Sequence, residues 1–343
     1  MEIATVGIDI GKSCFHVVGF TRAGTIVVRR RFTRRQLVMY LVNLPPCVIA
    51  MEACCGAHHL GRLLITYGHD VRLLPPQFVR PFVKSHKNDI RDAEAIGEAA
   101  QRPTMHTVPL KTPEQLDLQA LHRVRTRLVA RRTAVINQIR AFLLERGITI
   151  RAGRRPVQRA LPDVLADAGN GLSPRLCRLL ERLRGEWDTL DAAIDDTDEE
   201  IRVVSNETET CQQLMTVPGI GPLTASAVVA AVGNGSAFRR GRDFAAWLGL
   251  VPHQHSTGGK PTLLGISKRG NAYLRQLFIH GARAVLLKRP RYRGQLRSWL
   301  DALSARAHPN VVAVALANKL ARIAWAILRH QTVFRGELAI VSA

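Results

Sequence analysis

The sequence predicts a mixed fold, an α/β domain at the N-terminus followed by an all-α remainder, and three observations carry that reading. Short β-branched runs bounded by turn residues crowd residues 3–75, whereas from Pro113 onward apolar residues recur at the three-and-four spacing of helices. Isolated acids stand at the ends of early apolar runs or at the start of a helical pattern: Asp9 in VGIDIGKS, Glu52 in VIAMEACCG, and Asp89 with Asp92 in KNDIRDAEAI. The chain is otherwise strongly basic, with 49 Lys and Arg against 27 Asp and Glu and a formal net charge of +22. Its 343 residues suffice for two or three domains, and the pattern divides into 1–110, 111–205 and 206–343.

Residues 3–9, 14–20 and 25–32 read as three strands in two successive hairpins, with GKS and TRAG as the turns. RRQLVMYLVNL is a helical segment stopped by Pro45 and Pro46, and CVIAM is a fourth strand ending at Glu52. A helix around HLGRLLITYG, a strand VRLLP and a helix from Asp92 through DAEAIGEAAQ complete the first domain. This order fits a ribonuclease-H-like (RuvC-like) sheet whose central strand is the first; a generic α/β domain is the alternative that periodicity leaves open.

The acids favour the former. In such a sheet Asp9 and Glu52 end neighbouring strands, so their carboxylates emerge side by side, while the i, i+3 spacing of Asp89 and Asp92 puts both on one face at a helix start. Hard divalent cations take carboxylate oxygens and phosphates together, and two metals roughly 4 Å apart stabilise the attacking and leaving oxygens of a phosphoryl displacement. The expected cofactor is Mg2+ or Mn2+. Plainer readings exist for single members: Asp92 as a helix-dipole acid, Glu52 as a partner of Arg62 or Arg72, and GIDIGK as a string shared with sugar-kinase-like folds. His58 and His59 read as surface residues.

Beyond Pro113, Leu121, Leu128, Val135 and Phe142 recur every seven residues, with Leu118, Ile136, Ile139 and Leu143 widening the stripe of one long helix. Its other face carries Arg123, Arg125, Arg127, Arg131, Arg132 and Arg140, which reads as a phosphate-tracking surface, with Arg125, Arg131 and Arg132 the chosen contacts. RAGRRPVQRA reads as a basic linker. A second helix from Ser173 keeps the spacing through Leu176, Leu180, Leu183, Trp187, Leu190, Ile194 and Ile201, and its acidic stretch DTLDAAIDDTDEE favours packing on a basic helix. The pair predicts an antiparallel helical hairpin or coiled coil.

In the last third, VPGIGPL between two apolar runs has the pattern of a helix-hairpin-helix, where Gly219 and Gly221 bare backbone N–H groups toward a phosphate; the plainer alternative is a Gly-Pro turn between core helices. HQHSTGGKPTLLGISKRGNAYLR is a second unusual stretch. Gly258 and Gly259 let a phosphate approach the backbone, Lys260, Lys268 and Arg269 neutralise its charge, and Ser256 or Thr257 is placed either as a nucleophile or as a hydrogen-bond donor.

A sequence pI near 11 implies a polyanionic partner, nucleic acid, because basic surfaces gain affinity by releasing counterions from phosphates. None of the six cysteines forms a C-x-x-C pair, so reduced thiols are expected. No uninterrupted apolar run approaches the ~20 residues of a membrane span, and the N-terminus lacks the pattern of a signal peptide. A cytoplasmic, nucleoid-associated protein is expected.

Together Asp9, Glu52, the Asp89/Asp92 pair, VPGIG, the STGGK loop and GISKRGNAYLR resemble the transposases of the insertion-sequence 110 family, particularly its 1111 subgroup, with motifs in the same order over nearly the whole chain. The resemblance implies a RuvC-like domain with a DEDD metal-ligand set, a coiled-coil middle and a C-terminal transposase domain with a catalytic serine. Asp9, Glu52, Asp89 and Asp92 match the four acids. The family serine precedes a glycine; ungapped counting from Pro252 lands on Thr257, but the serine is Ser256, so Ser256 is chosen and Thr257 retained. The resemblance further implies donor and target DNA as partners, a structured non-coding bridge RNA as guide, and a dimer or tetramer in which the acids assist a phosphoserine step at a composite site. A junction nuclease using metal-activated water and a non-catalytic architectural protein are the alternatives.

Overall fold

A computed structural model describes residues 2–84, 88–288 and 294–335. They form two compact units, residues 1–113 and 114–343.

In the first unit, β1 (Thr5–Ile10), β2 (Cys14–Phe20) and β3 (Ile26–Thr33) form an antiparallel meander. Helix α1 (Arg34–Val42) follows, opened by a capping box in which Thr33 and Gln36 satisfy each other's backbone N–H groups. Then come β4 (Val48–Glu52), α2 (Ala57–Thr66), β5 (Asp70–Leu74), the short α3 (Pro76–Val79) and α4 (Asp89–Ala100). The strand order is β3-β2-β1-β4-β5, with β4 parallel to β1 and β5 parallel to β4. The expected element order is present, and β1 is central. Leu37 and Leu41 of α1 and Leu60 and Leu64 of α2 cover one face of the sheet over Val6, Ile8, Ile49 and Met51. On the other face Ala95, Ile96, Ala99 and Ala100 of α4 meet Ala50 and Leu74.

Helix α4 lies unusually close to β1. A Cβ added at Gly7 would sit 2.2 Å from the carbonyl oxygen of Ala93 and 2.5 Å from the nitrogen of Gly97, and one added at Gly97 would sit 2.2 Å from the Phe20 ring. Only glycine at both positions permits this approach, and the approach sets the depth at which the N-terminus of α4 reaches the end of β1.

In the second unit, α5 (Pro113–Leu144), α6 (Arg154–Ala166) and α7 (Pro174–Glu207) come first. Val135, Ile136, Ile139 and Leu143 of α5 pack with Leu180, Trp187 and Leu190 of α7. The segment expected as a linker is helix α6, which adds Val157 and Leu161 to that core. Pro156 falls in its first turn, where a missing N–H costs nothing, and this is why the proline does not break the helix.

Then follow α8 (Glu209–Met215), α9 (Pro222–Val232), α10 (Gly241–Trp247), an antiparallel hairpin of β6 (Pro252–Thr257) and β7 (Lys260–Ile266), α11 (Ala272–Leu287), α12 (Gly294–Ser304) and α13 (Pro309–His330). Their core gathers Leu214, Val228, Phe244, Phe278, Leu316 and Leu320 among others. Helix α13 is long and apolar enough to cross a membrane by length and composition, although Lys319 and Arg322 interrupt its apolar run. Yet Val312, Leu316, Leu320, Ala324 and Ile327 are buried inside this unit, as in the core helix of a folded protein. His122 of α5 ties the long helices to the rest: its Nε2 lies 3.1 Å from Ser226 Oγ of α9 and its Nδ1 3.0 Å from the Tyr273 hydroxyl of α11. Burial, aided by the nearby Arg125 guanidinium, pushes its pKa down to about 4, so the ring is neutral in this network.

Gly7→Ala should cost roughly 3 kcal/mol or more, the upper end of overpacking penalties, because backbone on both sides has to move. Gly185→Ala, in the middle of α7 with nothing within 4 Å of the new Cβ, should instead gain up to about 1 kcal/mol. Urea unfolding of the two variants checks both signs.

Candidate active site

The parallel register of β1 and β4 pairs Ile8 with Met51. One residue further, Asp9 and Glu52 leave the sheet side by side. The N-terminus of α4, capped by the Asn88 side chain, brings Asp89 and Asp92 to the same edge. Asp89 Oδ2 lies 3.7 Å and Asp9 Oδ2 3.9 Å from Nδ1 of His16, and one ligand atom from each of the three lies within 4.8 Å of the others. The Glu52 pKa is raised, first by burial and then by the negative charges of Asp9 and Asp92. All four predicted acids therefore converge on one end of the sheet.

The plainer readings of Glu52 do not hold. Arg62 donates to the Lys111 carbonyl and Arg72 to Asp70, so neither is the partner of Glu52. Mutually repelling, partly buried carboxylates suit a divalent cation, whose ligands are hard oxygens and whose charge relieves the crowding. His58, expected on the surface, is half-buried, and its Nδ1 accepts from the Lys111 backbone N–H; His59 is exposed.

Sequence reasoning missed His16. It lies opposite Asp9 in the β1–β2 register, its Nε2 is 3.9 Å from Cys14 Sγ, and its Nδ1 is the nitrogen turned to the acids. The signal was the hairpin register itself, since CFHVVGF read as one apolar run.

The STGGK stretch is not a loop but the tip of the β6–β7 hairpin. Thr257 pairs with Lys260, and Gly258 (φ 56°) and Gly259 (φ 77°) form the two-residue connection, which demands positive φ at both positions. Ser256 Oγ accepts a hydrogen bond from Gln254 Nε2 at 2.7 Å. Side chains alternate along a strand, so Ser256 and Thr257 face opposite sides of the hairpin. The tip is exposed throughout, as are Lys268 and Arg269.

Gly219 and Gly221 divide in role. Gly219 (φ 84°) is pressed against α11, where a Cβ would lie 2.7 Å from the Gly281 carbonyl oxygen, whereas Gly221 caps α9 in open space. Packing thus accounts for Gly219 and leaves Gly221 at the helix N-terminus.

Arg125, Arg131 and Arg132, expected to face phosphate, are instead engaged by acids of α7. Arg125 pairs with Asp198, Arg131 with Glu186 at 3.1 Å and Arg132 with Asp191 at 2.7 Å. The acidic stretch of α7 neutralises this face of α5 and sets the antiparallel register. Arg123 and Arg127 are exposed with no acidic partner among the described residues.

Two outcomes follow from these charges. In EDTA, Glu52→Gln should raise the melting temperature by a few degrees at neutral pH and lose that advantage as pH falls through the raised Glu52 pKa, where the wild-type carboxyl is itself protonated; added Mn2+ should stabilise wild type far more than the variant. Arg132→Ala should cost about 1–2 kcal/mol of stability, while Arg123→Ala with Arg127→Ala should leave stability unchanged and lower the salt slope of DNA binding by about 0.9 per lost phosphate contact. Thermal melts and binding titrations across salt distinguish the two sets.

Comparison with known proteins agrees with this geometry. Residues 6–147 match a DEDD transposase family model of the IS110 type, and residues 211–297 match the model described as Transposase IS116/IS110/IS902 family. The chain is similar to the transposase for insertion sequence element IS1328 of Yersinia enterocolitica (46% identity, 97% of this chain and 99% of the relative). It is also similar to a probable family 20 transposase of Pseudomonas aeruginosa (48%, 98% and 99%) and to the transposase for insertion sequence element IS1111A of Coxiella burnetii (45%, 97% and 92%). With identity at this level along nearly its full length, the chain belongs to the IS110/IS116/IS902 family of insertion-sequence transposases.

Proposed function

We propose that this transposase cuts and rejoins DNA through a serine nucleophile, Ser256, assisted by a divalent metal held by Asp9, Glu52, Asp89 and Asp92. The observation that carries the proposal is the convergence of four acids, with no Lys or Arg partner of Glu52 among the described residues, in a chain of net charge +22. Magnesium or manganese bound there would neutralise charge developing on a phosphodiester. His16 turns its Nδ1 toward Asp9 and Asp89.

The Ser256 hydroxyl attacks the DNA phosphorus. A serine Oγ–P bond forms, one P–O bond to deoxyribose breaks, and the hydroxyl proton leaves to a base while the departing sugar oxygen is protonated. Attack by a sugar hydroxyl of another strand reverses the step and rejoins DNA. Gly258 and Gly259 let the backbone approach the phosphate, and Lys260, Lys268 and Arg269 supply positive charge. Thr257, on the opposite face of the hairpin, is the alternative nucleophile. Gly221 at the start of α9 offers a further sequence-independent phosphate contact.

Target choice by a structured non-coding guide RNA fits this chain: base pairing would supply sequence specificity, and a basic protein needs only to hold the duplex by shape and backbone. A homo-oligomer, dimer or tetramer, belongs to the same reading.

The test is covalent trapping of the protein on labelled DNA with guide RNA, donor, target and magnesium. Wild type should yield a protein–DNA adduct that Ser256→Ala and Asp9→Asn lose. An adduct surviving Ser256→Ala but absent in Thr257→Ala moves the nucleophile to the other face. Cleavage with no adduct in wild type identifies a metal-activated water as nucleophile and overturns the serine mechanism.

A further inference from the structure

The second unit carries a groove of about 1140 Å³ between α10, the base of the β6–β7 hairpin, α12 and α13. That volume stands at the upper end of the ~300–1,000 Å³ range of small-molecule sites. Its wall is mostly apolar and includes two indoles, Trp299 and Trp325. Both are held in place: Lys319 Nζ lies 4.6 Å from the Trp299 ring centroid, and Trp325 Nε1 donates to the Gly235 and Phe238 carbonyls at 3.3 and 3.2 Å. Arg240, Arg242 and Arg322 join Lys319 around the groove; among the described residues no Asp or Glu lines it and none of the three arginines has an acidic partner.

Aromatic walls beside unpaired cations are the chemistry of single-stranded nucleic acid, whose bases stack while its backbone tracks positive charge. A duplex would use the cations but leave the indoles idle, because its bases are already stacked. A second copy of this chain would bring its own +22 charge to a basic rim. One wall of the groove is the hairpin bearing Ser256, through Pro252, Leu264 and Ile266, and Leu264 is 53% exposed there. We propose that this groove binds single-stranded DNA, the unpaired part of the strand presented to the hairpin. The proposal rests on the reading that the hairpin meets DNA, not on which hydroxyl reacts.

The experiment reads binding alone, with the full chain and no metal. A short oligodeoxynucleotide carrying 5-iodouracil should photocrosslink to Trp299 or Trp325, located by mass spectrometry. Arg242→Ala combined with Arg322→Ala should weaken single-strand binding about tenfold and lower its salt slope by about 1.4, near 0.7 for each phosphate contact, with duplex affinity unchanged. Both arginines are exposed, so the fold should survive; if the double variant melts early, Lys319→Gln is to show the same selective loss. Ser256→Ala should bind the oligonucleotide like wild type, which separates failure of the groove from failure of the serine mechanism. Crosslinks mapping elsewhere, wild-type binding by the variants, tighter binding of the matching oligoribonucleotide, or a change in sedimentation in place of a change in DNA affinity would each overturn the proposal.

Discussion

The first unit depends on how closely α4 can lie against β1. With Gly7 facing Ala93 and Gly97, backbone meets backbone without an intervening side chain, and Phe20 fills the space over Gly97. That contact sits two residues before Asp9 on the strand and one residue after Asp92 on the helix. A side chain here would push the helix outward and carry Asp89 and Asp92 away from Asp9 and Glu52. The glycines therefore set the size of the acidic site although neither carries a side chain. The second unit uses the same device where Gly281 of α11 backs onto Gly219: a Cβ at Gly281 would lie 2.1 Å from the Gly219 carbonyl oxygen, so α11 fixes the turn that precedes α9.

The legible parts of the sequence are those where a local pattern and a global requirement coincide. Strand order in the first unit could be read because the runs are short, β-branched and punctuated, and because Asp9 and Glu52 each end one. What stayed hidden depended on register or on distant partners. His16 becomes a neighbour of the acids only once β2 is paired to β1. The arginines of α5 looked like a phosphate surface because their acids lie 55 to 73 residues downstream on α7. The hairpin around Ser256 lacks apolar alternation, since both faces are exposed, so only the two glycines marked its turn. Helix α6 was obscured by Gly153 and Pro156, although Val157 and Leu161 already stood four residues apart.

Two glutamates in the first unit stand in opposite electrostatic surroundings. Glu94, on α4, is pushed up by burial, but hydrogen bonds from Arg29 and Lys84 outweigh that, so its pKa falls below the usual carboxylate range. Its charge is stabilised by the fold, and it serves the fold. Glu52 is raised by burial, and its charged neighbours are other acids, which raise it further. A carboxylate kept only for stability would not survive in such a place, because asparagine, glutamine or an apolar residue would pack there at lower cost. On the proposed reading a cation bound there would relieve the unfavourable term, so that metal affinity and folding stability would draw on the same repulsion. Metal held there should therefore bind more weakly, and stabilise the first unit less, at pH values where the Glu52 carboxyl is protonated.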